Sequence, residues 1–351
     1  MANKYAQSSG NWSAGGGGGI WYDAASGGSE VAKPAAGDVA YIVDGAAVAI
    51  DEDVSCAQIT ATGNTGYITV AANRTMTLTG NPGLRYSGTS TSGFVRVSSG
   101  VLTITHDQGA GTVAVQGDTS NGRPIVTSST GGLSVSNIGG TAFAAGGGRI
   151  EANGTGDVSF VGDIVHTSSN NIYRIAGACT MTITGDITST GLATGGFVVN
   201  AGAVLKILGN INYDSTGVGV VNVAQSIVGS VEWTGARTIS AGKYVMFSTG
   251  SSHVLKFATA TAALSLTCHG ALIVNAEATG NLTVTDAGGT ANVELQDQFS
   301  GACMAGLTDK TCITIKNLTA GNVKKDEVIH GVTGTYEGAG GGGGRAVIIG
   351  G

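Results

Sequence analysis

The chain has 351 residues, 61 of them glycine, only three prolines, 11% charged residues and a formal net charge of −6. That balance is too mild for a disordered acidic tail, and 17 basic residues scattered singly along the sequence offer no basic stripe for nucleic acid. Helical repeats are excluded as well, because the apolar residues alternate at period two, as half-buried strands do, and no long 3.6-period stretch occurs.

In chain order, residues 1–37 form a Gly- and Ser-rich N-terminal arm or cap containing the run Gly15–Gly19 and the bulky aromatics Trp12, Trp21 and Tyr22. Stacked strands leave open edges that must be covered, and these aromatics suit such a cover. The sharper alternative is a glycan-stacking or partner-docking patch. The opening "MANKYAQSSGNWSAGG" lacks the apolar segment of a secretory signal, and no run is long enough to span a bilayer. From Gly37 the text alternates strands with Gly and Asn turns; Asp51, Glu52 and Asp53 are its tight acidic cluster and are expected in a solvated turn.

A repeat then dominates. "DVSFVGDIVHTS" from Asp157, "CTMTITGDITST" from Cys179 and "AVLKILGNINYDS" from Ala203 align on Gly162, Gly185 and Gly209, which are 23 and 24 residues apart. Weaker copies centre on Gly117, Gly139 and Gly229, and a second strand phrase falls between the glycines ("GRIEA", "YRIAG", "FVVNA"). Self-similarity at this period marks a solenoid. The expected fold is all-β: a single-chain parallel β-helix with a repeat of about 23 residues over 38–300, capped at its N-terminus and followed by a small C-terminal β module. At about 4.8 Å per repeat, eleven repeats give a rod on the order of 50 Å. Val158, Phe160, Ile164, Met181, Ile183, Ile187, Leu205, Ile207 and Ile211 should share one core.

The Gly-Asp pairs read as corner chemistry: glycine tolerates positive φ, and the short polar residue after it bonds nearby backbone. In register, Asp163, Asp186 and Asn210 would stack, which also admits a calcium or catalytic reading. Other pairings for catalysis are His106-Asp107, His166 near Asp163, and Asp214 with Tyr213, none at a spacing that marks an acid pair. Cys56, Cys179, Cys268, Cys303 and Cys312 are an odd, dispersed set expected as core thiols; Cys268-His269 with Cys303, Cys312 and His330 match no zinc module. No catalytic residue, metal or cofactor is assigned.

Residues 301–338 read as the C-terminal β module and 339–351 as a glycine tether ending in a strand. Two stretches carry a resemblance. "NWS" with "AAGDVAYIVDG" and the Cys-containing text after it resembles the lead-in of β-helical proteins of phages, prophages and some bacterial surfaces. "LTAGNVKKDEVIHGVTGTYEG", Leu318–Gly338, resembles a short module of tailed-phage tail and fibre proteins: Asn322, Val323, Lys324 and Lys325 match its opening, Val328 and Ile329 its apolar pair, and Gly331 to Tyr336 its "GVTGTY". Asp326-Glu327 stand where that module has glycine. The resemblance implies a structural protein on the outside of a tailed-phage particle, a tail fibre, spike or capsid decoration, located in the virion and released by lysis. Its partners would be its own copies, other virion proteins and a host-surface glycan, with no nucleic acid and no membrane insertion. Assembly contacts are expected at Asn322, Lys324, Lys325, Gly331, Tyr336 and, on the tether, Arg345, Val347, Ile348 and Ile349, a strand that suits addition to a neighbour's sheet edge or, equally, folding back to seal the last turn of its own coil. The alternatives are a polysaccharide-degrading β-helical enzyme and a bacterial surface adhesin.

Overall fold

The computed structural model describes residues 2–214 except 16, 62, 120–121, 168–172, 190–196 and 201, then the backbone of strands as far as Leu295 and of 328–329 and 332–333; side chains are described as far as Ile211, Ser189 aside, and at Trp233. The described residues are all-β, with no helix, and therefore none able to cross a membrane.

Over most of the described strands, successive strands do not pair with each other but join parallel ladders, each meeting the one about three elements further on. The first ladder runs Asn3–Ala6, Val39–Ile42, Gln58–Ala61, Leu84–Tyr86, Val113–Gly117, the second half of Gly132–Ala145, the second half of Val158–His166, Ile187–Ser189 and Ile211–Asp214. A second ladder runs from Gly10–Asn11 through Ala47–Ala49, Tyr67–Val70, Val95–Val97, Ile125–Thr127, Ile150–Ala152, Tyr173–Ile175 and Phe197–Val199, and on to Asn292–Leu295. The third begins at Val54–Cys56 and continues through Arg74–Leu78, Val101–Thr105, the first halves of the two long strands, Thr180–Ile183 and Val204–Ile207 to Ala278–Thr279.

Register follows from the period-two pattern, since a slip by one residue would turn every Val and Ile outward. Val158 pairs with Met181 and Met181 with Leu205; Phe160 pairs with Ile183 and Ile183 with Ile207; Ile164, Ile187 and Ile211 form a third column. All nine of these side chains are buried, within one apolar cluster that draws on all three ladders. Aromatics thicken it: Tyr173 stacks on Phe197 with ring centroids 4.8 Å apart, while Phe143 and Phe160 meet Tyr173 edge-on. Burying each such ring stabilises the fold by about 2–3 kcal/mol.

At Gly139 and Gly162 the expected positive φ is present, +74° and +120°, whereas Gly185 and Gly209 require glycine for another reason. At Gly185 a Cβ would lie 2.1 Å from the Gly162 carbonyl oxygen, and at Gly209 2.0 Å from that of Gly185. Close approach of stacked backbones, rather than dihedral freedom, demands glycine there. The column also begins elsewhere than the phrase alignment suggests. "TVAVQGD" at Gly117 lies in the first ladder, with Val115 opposite Phe143, and the true counterpart of "VSFVGD" is "VLTITHD", whose Leu102 and Ile104 pair with Leu133 and Val135. Gly229 lies outside the described residues.

At the N-terminal end, Asn3–Ala6 and Gly10–Asn11 are the first members of two ladders, so the arm is partly continuous with the strands after residue 38. The free side of Asn3–Ala6 is covered by Trp21–Tyr22, which pairs antiparallel to it, and Tyr22 is bridged in turn to Glu30. An antiparallel cover ends a parallel ladder, because the next chain finds no matching edge.

Candidate functional site

The carboxylates considered for chemistry or calcium are committed to backbone. Asp163 Oδ1 accepts the Asp186 N–H at 3.0 Å, and Asp186 Oδ1 accepts the Asn210 N–H at 2.8 Å. The same device recurs at other corners: Asp53 takes the N–H of Thr75, Asn73 that of Val101, Asp44 that of Thr65, Asp107 that of Ile138 and Asp157 that of Thr180, all at 2.8–2.9 Å. A side chain on one strand thus satisfies an amide on its ladder neighbour, where the ladder itself breaks at the corner. The hydrogen bond from the Thr65 amide holds the Asp44 carboxyl below its ordinary value, and that from Ile138 does the same for Asp107. Such acids are poor proton donors at neutral pH.

The acidic cluster at 51–53, half-exposed at Asp51 and Glu52 and exposed at Asp53, is also tied into a set of bonds. Asp51 accepts the Ser13 N–H at 3.0 Å and its hydroxyl, Glu52 pairs with Lys33, and Asp53 holds Thr75. A shallow recess of about 310 Å³ beside it is lined by Asp53, Asn73, Arg74, Thr75, Val101 and Thr103, but Asp53 and Asn73 are already engaged.

The histidine pairings separate. His106 is buried, its Nε2 2.5 Å from the Gly80 carbonyl oxygen, while Asp107 points outward to Ser136 and Ile138. His166 is buried and Asp163 exposed. Asp214 and Tyr213 have no described side chains. Burial pushes the Cys56 thiol up to about 12 and Cys179 up to about 11, with Asp38 and Asp157 adding to each, so both stay protonated and inert. Among the described residues no group of three His, Cys, Asp or Glu is placed to hold a metal; His269, Cys303, Cys312, His330 and the side chain of Cys268 lie outside them.

Trp12 and Trp21 are buried against each other edge-on, centroids 4.8 Å apart, with the Trp21 indole N–H donating to the Trp12 carbonyl at 3.0 Å. Neither face is open to a sugar. Tyr22 is half-buried on the opposite side of its strand, opposite Tyr5, which stacks on Tyr41 at 4.7 Å. Of the expected assembly residues, Asn322, Lys324, Lys325, Gly331, Tyr336, Arg345, Val347, Ile348 and Ile349 all lie outside the described residues.

One feature corrects the expectation of singly scattered bases. Arg96, Arg123, Arg149 and Arg174 are 27, 26 and 25 residues apart, close to one repeat, so the fold gathers them along the second ladder, Arg96 and Arg174 within its strands and Arg123 and Arg149 just before Ile125–Thr127 and Ile150–Ala152. Arg96 pairs in register with Val126, Val126 with Glu151, and Glu151 with Arg174. The Arg96 guanidinium lies 3.7 Å from the centre of the Tyr67 ring, and its Nε donates to the Gly93 carbonyl at 3.0 Å, which fixes its direction. Glu151 is 1% exposed. Arg123 Nη1 stands 2.7 Å from its Oε2, and Arg149 Nη2 stands 2.8 Å from its Oε1 without the alignment of a hydrogen bond. Burial lowers the Arg123 pKa from its ordinary value; Glu151 opposes that, and Arg149 and Arg174 add to it. The guanidinium nevertheless stays charged. Two guanidiniums therefore flank one carboxylate, with the exposed Arg174 in register beside it on the next strand and Arg123 Nε buried without a partner among the described residues. Spacing at the repeat length was the available signal; it goes unnoticed when charges are read along the chain rather than across rungs. No family model, no curated protein and no solved structure matches the chain.

Proposed function

We propose that the ladders wrap a single core as a parallel β-helix, and that this rod is a structural protein on the exterior of a tailed-phage particle, acting by assembly and adhesion. The observation that carries the reading is the chain of corner contacts in which Asp and Asn side chains serve the next strand's amides. Polar residues at these corners are spent on stacking, which is what a mechanical rod requires. The "GVTGTY" resemblance supports the phage assignment, and within it Val328–Ile329 pairs antiparallel with Val332–Thr333, in keeping with a small β module. In this reading the module and the tether after it attach the rod to its copies or to the virion.

The test is truncation after Gly338, followed by purification of particles and of free protein. Loss of incorporation with the rod still folded is the expected result. Incorporation at the normal level would remove the tail from the attachment role, and absence of the full chain from particles would end the virion reading altogether.

A further inference from the structure

We propose that the arginine face of the second ladder is a binding site for an anionic polysaccharide, with the carboxylate of an acidic sugar seated at Arg174 beside Arg123 and Arg149. The choice of a sugar polymer deepens the adhesion reading and rests on it; the anion site rests on the arginines alone.

The charge count comes first. One carboxylate, Glu151, meets two guanidiniums, Arg174 stands in register beside it on the next strand, and Arg96 adds a fourth cation two strands away. Four of the 17 basic residues thus gather in a local cationic strip on a chain whose formal net charge is −6. Excess positive charge that is partly desolvated, as at Arg123, is relieved by an incoming anion. Glu151 shows which anion the geometry suits, since a planar carboxylate already sits between the forks of Arg123 and Arg149. Arg174 pairs in register with Glu151 and is exposed, with no hydrogen bond or ion pair of its own among the described residues, so its fork is open to a second carboxylate.

Size and surroundings choose the polymer. From Arg96 to Arg174 the strip crosses three ladder steps, about 14 Å, enough for a short run of sugars. Four cations with one anion among them fall short of the 6–10 phosphate contacts, by order of magnitude, typical of duplex-binding proteins. Arg96, held over Tyr67, gives the strip a second fixed cation at its far end, so that an acidic sugar repeat meets charges at both ends.

The experiment measures binding of the full chain to oligogalacturonate, dextran sulfate, neutral dextran and a single-stranded oligonucleotide. Oligogalacturonate should bind, more weakly as salt rises, and neutral dextran should not. Arg174→Gln, which removes an exposed side chain, should leave the thermal midpoint unchanged and weaken oligogalacturonate by about tenfold. A paired Arg123→Gln/Glu151→Gln variant, which keeps the local charge balance, should weaken it again. Unchanged affinity in Arg174→Gln overturns the site, as does a failure of oligogalacturonate to bind. Dextran sulfate binding alone, or equal Arg174-dependent capture of the oligonucleotide, overturns the acidic-sugar assignment. The two readings fail separately: particles that carry Arg174→Gln yet adsorb normally sink this inference and spare the virion role, whereas Arg174-dependent sugar binding by a chain absent from particles does the reverse.

Discussion

The corner that runs through Asp163, Asp186 and Asn210 and the face that carries Arg123, Glu151 and Arg174 are built on the same ladders, yet they use charge in opposite ways. At the corner each acid meets one backbone amide on the next strand, and donors and acceptors balance. On the face, guanidiniums outnumber the carboxylate they enclose, and the balance is left open. The difference teaches where to look for function in a repetitive fold: stacking satisfies nearly every polar group by repetition, so an uncompensated group that recurs at the repeat length stands out.

The largest expected effect breaks the arginine face. Glu151→Ala leaves Arg123 and Arg149 partly buried without their counter-charge, and removal of one partner from a buried pair costs about 3–5 kcal/mol. The two guanidiniums keep 18% and 28% of their side-chain exposure, so the lower end of that range, about 3 kcal/mol, is expected. Urea unfolding should show the loss as a lower midpoint at an unchanged slope. Added sulfate should restore part of it in the variant and little in the wild type. A variant as stable as the parent would mean that the arginines reach water easily and that the face holds no stored charge.

Asp186→Ala tests the corner and should cost less. It removes the acceptor of the Asn210 N–H at 2.8 Å and, at 3.4 Å, of the Asn210 side-chain amide. Both groups lie partly exposed, so water replaces the lost bonds and about 1 kcal/mol is expected. Asp186→Asn keeps an acceptor and should recover most of it. Hydrogen exchange at Asn210 should quicken in the alanine variant alone; equal exchange in both would show that the side chain does not serve that amide.

Much of the ladder pattern was legible because its causes are local and repeated. The alternation of Val158, Phe160, Ile164 and their counterparts in "TMTITGDI" and "LKILGNI" states both the inward face and the register, and the ladders keep it. Corner glycines were visible, but the reason for Gly185 was not, because the 2.1 Å approach of Gly162 to the space beside Gly185 exists only once backbones stack. The shift that aligns "VLTITHD", not "TVAVQGD", with the later phrases was hidden by the long strand Gly132–Ala145, whose register jumps between Ser136 and Thr141. The arginine face was written in spacings of one repeat, but charge was weighed along the chain. Trp12 and Trp21 were ambiguous for a plain reason: an aromatic near an open edge serves a cover or a ligand equally well, and only the burial of both rings separates the two uses.

The smallest effect is the sharpest test of the corners as a class, because it follows from their protonation and not from a cavity. Asp44 and Asp107 are held below the ordinary carboxylate value by the amides of Thr65 and Ile138. A depressed folded pKa means that the charged form is favoured on folding, so the contribution is present in full above the unfolded value, about 3.9, and is lost as pH falls through the folded value. Stability should therefore hold level from neutral pH down to about 5 and decline only below about 4. The decline should be gradual, since both side chains are exposed and solvent screens them. Asp107→Asn keeps an oxygen for the Ile138 amide but cannot titrate; its acid limb should be shallower than the parent's while its stability at pH 7 changes little. An unchanged acid limb would assign the sensitivity to other carboxylates and remove titration from the account of this corner.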